Sequence, residues 1–385
     1  MYIHVVQNGE TLVALANHYK MTILQIVAAN GLSVSDTLAI GQALVIPQAN
    51  PLANHHLISR PSKEVNAYLI NLGSAGQSMT ELVGNDLTYL SPFSYKVNRD
   101  GSLKGLNDFQ VLNIARSKKV SPLMSIANID DKGFNSEIAH VILTNASVQE
   151  IFVNNLLSVL TTKGYRGLNI DFEYVPSEDG ERYNHFLLRL VKRLHPQGYS
   201  VSSALAPKLS STQKGLLYKA HDYSIHGQLL DFVILMTYEW GWAGGPPMAI
   251  APLNMVRRVL DYAITVIPKH KIMLGIALYA RDWTLPFVEG APFARTFSPQ
   301  YAIQLAARYN APIQYDLLSQ SSFFRYTDEL GRRHEVWFED ARSIQAKFTL
   351  VKDYNLRGIS YWVLPTAFPQ VWFVQEDNFN VIKLG

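Results

Sequence analysis

Apolar residues recur along this chain of 385 residues in two alternating patterns. Short apolar runs suited to β-strands are each followed by a stretch with the spacing of an amphipathic helix. From Val65 onward this alternation is typical of βα units around a parallel barrel, so we predict an α/β fold, a (β/α)8 TIM barrel. The eight predicted strands are Ala67–Leu72, Tyr89–Tyr95, Ser121–Ala127, Gly167–Glu173, Ser200–Ala206, Asp231–Tyr238, Ile272–Ala277 and Gly358–Val363.

The first fifty residues show a different pattern. Strand-like runs at Tyr2–Val6 and Ala43–Ile46 enclose two helical stretches, Thr11–Tyr19 and Ile23–Ala29. The residues that follow are rich in Pro, Asn and His, which is the composition of a linker. The predicted organisation has three parts: a small βααβ module at residues 1–48, a linker at 49–64 and the barrel at 65–385.

The fourth predicted strand alternates apolar residues with polar ones. Asn169, Asp171 and Glu173 share one face because alternate side chains of a strand point the same way, and the barrel would bring that face into its mouth. Two adjacent carboxylates on a buried face repel each other, which tends to keep one protonated and the other ionised near neutral pH. Such a pair suits general acid/base chemistry, although two acids at this spacing could also cap a helix or meet an arginine.

The segment Tyr165–Tyr174 resembles the signature strand of glycoside hydrolase family 18, the chitinase-like hydrolases. The family pattern is D-x-x-D-x-D-x-E, and its last Glu is the catalytic acid. Aligned on Glu173, Asp171 matches the third Asp, while Asn169 and Arg166 stand where the pattern has its second and first Asp. An asparagine cannot hold a proton for Asp171 as an aspartate would. The retained pair of acids still implies activity.

Other parts of the chain extend the resemblance from about residue 66 to the C-terminus. The segment Met236–Pro247 is similar to a bacterial branch, the peptidoglycan N-acetylglucosaminidases of spore cortex. Between the seventh and eighth predicted strands, a helical stretch and two hairpin-like runs resemble the small α+β insertion that many members carry, here at roughly residues 280–340. Four segments resemble further strands of the family, in its order: Ser91–Tyr95, Ser121–Asn128, Val233–Trp240 and Gly358–Val363.

The resemblance implies a substrate-assisted retaining mechanism, an exception to the two-carboxylate scheme of most glycosidases. Glu173 would protonate the departing oxygen while the N-acetyl carbonyl of the substrate attacks the anomeric carbon. Asp171 would orient the acetamido N–H, Tyr238 would bind the acetamido carbonyl, and Trp362 would stack on the sugar. In general, a Tyr at a strand end is often a core residue, and a Trp more often packs than binds. The expected catalytic residues are Glu173, Asp171 and Tyr238, and the expected substrate-binding residues are Asn169, Asn128, Met236, Glu239, Trp240 and Trp362.

The N-terminal module resembles a LysM domain over its whole length, through Val5–Leu12, Ile26–Asn30 and Gly41–Pro47. LysM domains bind glycans that contain N-acetylglucosamine, in a shallow groove between two loops. For Leu12, packing in the core of the module is the better interpretation. The resemblance places the groove at Gly9, Glu10, Thr11, Leu12, Asn30, Gly31 and Leu32.

Composition removes several classes of function. The chain has no cysteine, which excludes disulfides and thiolate metal sites, and no cofactor or metal is implied. A net charge of +3, with Lys and Arg dispersed, does not favour nucleic acid but is compatible with an acidic polymer such as a cell wall. We expect no signal peptide and no membrane span, since no apolar run approaches roughly 20 residues.

The histidines do not form a ligand set. We interpret His55 and His56 as solvated linker residues, because neighbours in an extended segment point to opposite sides. We interpret the remaining scattered histidines as surface or helix residues: His140, His185, His195, His221 and His226.

The two resemblances together imply an enzyme that cleaves β-1,4 links after N-acetylglucosamine in peptidoglycan and is held on its polymer by the LysM domain. The expected partner is peptidoglycan or another N-acetylglucosamine polymer in the spore or cell wall, and the chain is expected to act as a monomer. Three alternatives stay open: a chitinase or chito-oligosaccharide hydrolase, a chitinase-like lectin that binds glycans without cleaving them, and a structural coat protein, which need not exclude catalysis.

Overall fold

The structure is a computed structural model that describes residues 1–47 and 60–384. Most of the predicted linker, with His55 and His56, lies outside these residues. Its last part, Ser62–Glu64, already belongs to the first barrel strand. The sequence did not reveal this start of the strand, because Lys63 and Glu64 are polar residues that are nevertheless buried. Both have partners: Lys63 donates to the carbonyl of Leu356, and Glu64 accepts from Arg357 at 2.6 Å.

The N-terminal module has the predicted βααβ order. Its two strands pair antiparallel. Each helix begins after a threonine whose hydroxyl accepts a backbone N–H, Thr11 for the first helix and Thr22 for the second. A small core of apolar residues from all parts of the module, including Leu15 and Ile26, holds it together. The four elements are β1 (Tyr2–Val5), α1 (Leu12–Tyr19), α2 (Ile23–Asn30) and β2 (Ala43–Ile46).

The rest of the described chain alternates strands and helices. The strands are β3 (Ser62–Leu69), β4 (Tyr89–Pro92), β5 (Tyr95–Val97), β6 (Leu103–Lys104), β7 (Ser121–Ala127), β8 (Ile129–Asp130), β9 (Gly133–Phe134), β10 (Gly167–Asp171), β11 (Ser200–Leu205), β12 (Phe232–Leu235), β13 (Ile272–Ala277), β14 (Ala280–Leu285), β15 (Arg295–Phe297), β16 (Gln314–Asp316), β17 (Ser321–Thr327), β18 (Arg333–Phe338), β19 (Gly358–Leu364) and β20 (Asn380–Val381). The helices are α3 (Ser74–Val83), α4 (Phe109–Ser117), α5 (Ser136–Thr144), α6 (Ala146–Lys163), α7 (Gly180–Leu194), α8 (Tyr223–Leu229), α9 (Leu253–Val266), α10 (Pro299–Arg308), α11 (Ala341–Asp353) and α12 (Gln370–Asn378).

Eight parallel strands close into a barrel in the order β3, β4, β7, β10, β11, β12, β13 and β19, and β19 pairs with β3. All eight predicted strands are therefore confirmed, and so is the TIM-barrel fold. The strands are buried on both faces, as expected of a sheet covered by helices outside and packed side chains inside. Closure brings the carboxyl ends of all eight strands to one mouth.

A five-stranded antiparallel sheet, in the order β15, β14, β18, β17, β16, is inserted between barrel strands β13 and β19. Together with α10 it has its own core, which includes Ile303, Phe324, Val336 and Phe338. Because β14 begins three residues after β13 ends, the insertion rises directly from the barrel mouth. The predicted α+β insertion is present at this place in the fold.

The N-terminal module is docked on the barrel and on the insertion. The side-chain amide of Gln370, at the start of α12, donates to the side-chain oxygen of Asn30 and to the carbonyl of Ala43, both at 2.8 Å. The Ile313 N–H donates to the Ile40 carbonyl at 2.8 Å. Among the described residues no single helix is long and apolar enough to cross a membrane, and the bent pair α1–α2, at 110°, meets that criterion only when its helices are taken together.

Two glycines of the module test this docking. Gly41 has φ +80°, and a Cβ there would lie 1.9 Å from the carbonyl oxygen of Ile313. Gly9 has φ +84°, but a Cβ there would meet no atom within 4 Å. We expect Gly9→Ala to lower the free energy of unfolding by about 1–2 kcal/mol, the cost of left-handed backbone. Gly41→Ala should lower it further, because the module must also move off the insertion. Urea unfolding measures both, and equal losses would contradict the docking.

Candidate active site

The two predicted carboxylates lie where β10 ends in the barrel mouth. Asp171 is the last residue of β10, and its backbone still pairs with Ala127 of β7. Glu173 follows two residues later. The sequence predicted a strand that includes Glu173, but β10 ends before it. Asp171 is buried and Glu173 is half-buried. The pair therefore stands at the carboxyl end of a barrel strand, the usual place of catalytic residues in this fold.

Burial controls the protonation of this pair. It raises the pKa of Asp171 to about 7. The pKa of Glu173 is raised well above its usual value, first by burial and then by the negative charges of Asp171 and Glu239. Asp171 and Glu173 cannot both be ionised in a poorly solvated site without strong repulsion. The arrangement favours a protonated Glu173 beside Asp171, which is the state that a proton donor needs.

Asn169 lies behind Asp171 and is fully buried. Its side-chain oxygen accepts from the Tyr68 hydroxyl at 2.7 Å, and its amide nitrogen donates to the Ser202 hydroxyl at 3.0 Å. Both of its polar groups thus already have protein partners, and its role in binding substrate stays a prediction. In contrast, one carboxylate oxygen of Asp171, Oδ1, is buried without a hydrogen-bond partner among the described residues. This oxygen can accept a hydrogen bond from a ligand.

Asn128, predicted to bind substrate, contacts the backbone of Glu173. Its side-chain oxygen accepts from the Glu173 N–H at 2.9 Å, and its amide nitrogen donates to the Glu173 carbonyl at 2.8 Å. The same nitrogen lies 3.0 Å from the Asn135 carbonyl. The side chain is fully buried and engaged with the main chain, so it supports Glu173.

Tyr238 and Glu239 follow β12 into the mouth. Burial raises the pKa of Tyr238 well above its usual value, and the negative charges of Asp171, Glu173 and Glu239 raise it further. Gly275 makes room for the ring, since a Cβ there would lie 2.9 Å from the Tyr238 ring and 2.4 Å from the Leu235 carbonyl oxygen. The structure therefore brings all three predicted catalytic residues together.

Glu239 has a positive φ of +68°, which is costly for a residue with a side chain and is often found at functional sites. Its carboxylate accepts from the Tyr279 hydroxyl and from the Arg281 guanidinium, the latter at 2.6 Å. Tyr279 and Arg281 are absent from the sequence prediction. Their position just beyond the carboxyl end of β13 was the signal that could have revealed them.

Trp362 lines a cavity that Glu239 also lines. The indole is half-buried and packs edge-to-face against Tyr68 and Phe93, with ring centroids 5.4 Å and 4.9 Å away. The cavity measures about 350 Å³, and its walls include Glu239, Arg281 and, from the insertion, Phe297. This volume falls in the range of small-ligand pockets. Glu173 itself does not line the cavity; Glu239 belongs to its wall and also acts electrostatically on Glu173.

The two other predicted substrate-binding residues of the barrel, Met236 and Trp240, also have packing contacts. Met236 and Trp240 are half-buried against the main hydrophobic core. The backbone N–H of Trp240 donates to the Ile250 carbonyl at 3.1 Å. Their contacts with substrate stay predictions. Among the described residues no group of three or more His, Asp or Glu is placed to hold a metal ion.

The residues of the predicted LysM groove differ in their accessibility. Gly9, Thr11 and Gly31 are exposed, and Glu10 and Leu32 are half-buried. Leu12 belongs to the core of the module, as the sequence indicated. Asn30 is fully buried and bonds to the backbone of Ile26 and Val45. The Gly31 carbonyl accepts from the side chain of Gln300 at 2.9 Å, so this end of the groove adjoins the insertion.

One histidine prediction is wrong. His221 lies in the loop before α8, outside any helix, and only 1% of it is exposed. It is buried because both ring nitrogens have backbone partners, on Phe172 and Ala206. His226 lies in α8, as a helix residue, but it is fully buried as well. Sequence spacing gives no sign of these contacts, since His221 is 49 residues from Phe172.

Family models match both parts of the chain. The LysM domain model matches residues 4–47, and the model of the glycosyl hydrolases family 18 matches residues 68–366. The chain belongs to glycosyl hydrolases family 18. It is therefore a glycoside hydrolase that carries a LysM domain, and both matches lie within the predicted ranges 1–48 and 65–385.

Similar proteins cover the whole chain of this family 18 hydrolase. The cortical fragment-lytic enzyme of Bacillus subtilis (strain 168) is 42% identical over 100% of this chain and 99% of its own. The crystal structure of the Bacillus cereus spore cortex-lytic enzyme SleL is 39% identical, with a TM-score of 0.93 over 100% of this chain and 99% of that one. A chitinase from Chromobacterium violaceum ATCC 12472 is 26% identical, with a TM-score of 0.74 over 82% of this chain and 99% of that one. Similarity to the cortex-lytic proteins thus extends further along the chain than similarity to the chitinase.

The effect of the Glu239 charge on the pKa of Glu173 can be tested through the pH dependence of kcat/KM. Glu239→Gln removes a negative charge that raises the pKa of Glu173 and leaves Arg281 without its counter-ion. Both changes stabilise the ionised form of Glu173, so the pKa of Glu173 should fall and the alkaline limb of kcat/KM should move to lower pH. Glu150→Gln, on the exposed face of α6, is the control and should leave the limb in place. A limb that stays or moves upward in Glu239→Gln would contradict this electrostatic coupling.

Proposed function

We propose that this family 18 hydrolase is a peptidoglycan N-acetylglucosaminidase that cleaves β-1,4 links after N-acetylglucosamine in spore cortex. The observation that carries the proposal is the buried pair Asp171 and Glu173, in which repulsion and burial favour a protonated Glu173 at the barrel mouth. The choice of cortex peptidoglycan is supported by the full-length similarity to cortical fragment-lytic enzymes. The similarity to a chitinase makes chitin the second candidate substrate.

The proposed reaction is substrate-assisted and retaining, as in the exceptions to the two-carboxylate scheme. Glu173 gives its proton to the glycosidic oxygen as the bond from the anomeric carbon to that oxygen breaks. The acetamido carbonyl oxygen of the same sugar forms a bond to the anomeric carbon, which gives an oxazolinium ion. Water then attacks the anomeric carbon and gives a proton to the Glu173 carboxylate, while the bond from that carbon to the acetamido oxygen breaks and restores the acetamido group. Two inversions at one carbon leave its configuration retained.

The neighbours of Glu173 have parts in this scheme. Asp171 accepts the acetamido N–H, for which its unpartnered Oδ1 is available, and stabilises the positive charge of the oxazolinium ion. Tyr238 donates its hydroxyl to the acetamido carbonyl and turns that oxygen toward the anomeric carbon. Trp362 carries the sugar on its exposed face. Asn128 keeps the backbone of Glu173 in place.

The LysM domain is proposed to bind the same polymer, which would keep the enzyme at the spore cortex or cell wall. The enzyme is proposed to act as a monomer. A binding module raises the local concentration of substrate at the catalytic site. Here the module is docked on α12 and on the insertion, so it would hold the glycan at a fixed position relative to the barrel mouth.

Product analysis tests the substrate and the acid together. Wild type, Glu173→Gln and the surface control Glu150→Gln are incubated with spore-cortex peptidoglycan and, separately, with chitin. We expect wild type and the control to release cortex fragments that end in reducing N-acetylglucosamine, and Glu173→Gln to lose activity by about 100-fold or more, because general acid catalysis alone contributes 10²–10⁴-fold. Mass spectrometry identifies the fragments. Release from chitin alone would identify a chitinase, and release from neither polymer would favour a lectin.

Substrate assistance is tested by removing the acetyl group. Chitosan has the same β-1,4 linkage as chitin but lacks the acetamido carbonyl that attacks the anomeric carbon. We therefore expect fully de-N-acetylated chito-oligosaccharides to resist cleavage even if acetylated ones of the same length are cut. Cleavage of both at similar rates, measured by chromatography of the products, would exclude the proposed oxazolinium route.

A further inference from the structure

His221 has no part in the proposed reaction, yet it contacts the strand end that carries the acids. Its Nε2 lies 2.9 Å from the carbonyl oxygen of Phe172, the residue between Asp171 and Glu173. Its Nδ1 lies 3.0 Å from the backbone nitrogen of Ala206, directly after β11. The ring is therefore bonded to the main chain on both sides.

These two contacts define the tautomer of His221. The Ala206 N–H can only donate, so Nδ1 is the acceptor and carries no proton. The neutral ring then has its proton on Nε2 and donates it to the Phe172 carbonyl. Burial, assisted by the positive charge of Lys208, lowers the pKa of His221 to about 4, which keeps the ring neutral near neutral pH.

The Phe172 carbonyl and the Glu173 N–H belong to one peptide group. His221 donates to its oxygen, and Asn128 accepts from its N–H at 2.9 Å. Because a peptide group is planar, bonds at its two ends fix its rotation about the chain. The Cα that carries the Glu173 side chain belongs to the same planar unit.

Beyond Asp171 the backbone is held by side chains, because the hydrogen bonds between β10 and its neighbouring strands have ended. Asp171 is the last residue of β10 with a partner on β7, and Ile170 is the last with a partner on β11. Asn128 directly follows β7, and the Ala206 N–H that orients His221 directly follows β11. Each of the two strands that flank β10 is thus followed by a residue that helps to hold the next peptide group. Asn128, after β7, contacts it directly, and Ala206, after β11, acts through His221.

We propose that His221 is a positioning residue for Glu173, which it orients through the Phe172 carbonyl. The inference rests on the proposed role of Glu173 as the acid. His221 is itself held firmly, since the ammonium group of Lys208 donates to its carbonyl at 3.0 Å and the rings of Tyr183 and His226 lie 6.3 Å and 6.1 Å away.

The neighbouring histidine offers a matched control. His226 is also fully buried, but its Nδ1 pairs with the Ser203 hydroxyl at 2.9 Å and it makes no hydrogen bond to the main chain around Glu173. His221→Phe and His226→Phe each replace one buried imidazole by a ring of similar shape. His221→Gln keeps an amide N–H that can donate to Phe172. Thermal unfolding of each variant sets an assay temperature at which all of them are folded.

Steady-state kinetics on soluble cortex glycan strands tests the proposal. We expect His221→Phe to lower kcat by about 10- to 100-fold with KM within about twofold, because a misaligned acid slows chemistry without removing a substrate contact. His221→Gln should recover part of that loss, and His226→Phe should stay within about threefold of wild type. Equal kcat losses in His221→Phe and His226→Phe, or a loss confined to KM, would overturn the proposal.

A double variant adds a second criterion. Since His221 and Asn128 hold the same peptide group, His221→Phe with Asn128→Ala should lose less than the product of the two single losses in kcat. Losses that multiply would contradict a shared action. Failure of the proposed function would look different, because wild type would then release no reducing N-acetylglucosamine or Glu173→Gln would remain active. Either of those results would also remove the basis for the role of His221.

Discussion

The site depends on the repulsion between carboxyl groups that the barrel holds together in a poorly solvated mouth. Asp171 and Glu173 are two residues apart at the end of β10, and Glu239 adds a third negative charge from the end of β12. Charges interact far more strongly in such an environment than in water, so the lowest-energy state keeps a proton on the most affected acid. That acid is Glu173. Arg281 pairs with Glu239 and limits the repulsion that this third charge adds.

Such a site needs a rigid frame, because a proton donor that moves by an ångström loses much of its effect. The barrel fixes the strand ends, but Glu173 lies beyond the last ladder bond of β10. Asn128 and His221 hold the next peptide group from the two flanking strands. Gly275 leaves space for Tyr238, and the LysM domain is docked on the barrel.

Regular patterns made much of this fold predictable. The eight barrel strands and the βααβ module follow from apolar periodicity, and the acidic pair at the end of β10 follows from the alternation of polar and apolar residues. The start of β3 was missed because Lys63 and Glu64 look solvated in sequence and become buried only through partners nearly 300 residues away. The contacts of Asn128 with the Glu173 backbone were not predicted, because the two residues are 45 positions apart in sequence, and substrate binding by Asn128 stays a prediction. His221 was misplaced for a similar reason: its partners on Phe172 and Ala206 are brought to it by the closure of the barrel. Tyr279 and Arg281 were within reach of the sequence, as polar residues just past a barrel strand.

A measurement of the protonation state of Glu173 shows whether burial and repulsion keep this carboxyl group protonated near neutral pH. Infrared difference spectra between wild type and Glu173→Gln, recorded across a pH series, isolate the carboxyl stretch of this one residue. We predict a protonated carboxylic acid band that is still present at neutral pH, well above the usual titration range of a glutamate, and that disappears only at higher pH. A difference spectrum that shows only ionised carboxylate at neutral pH would contradict it.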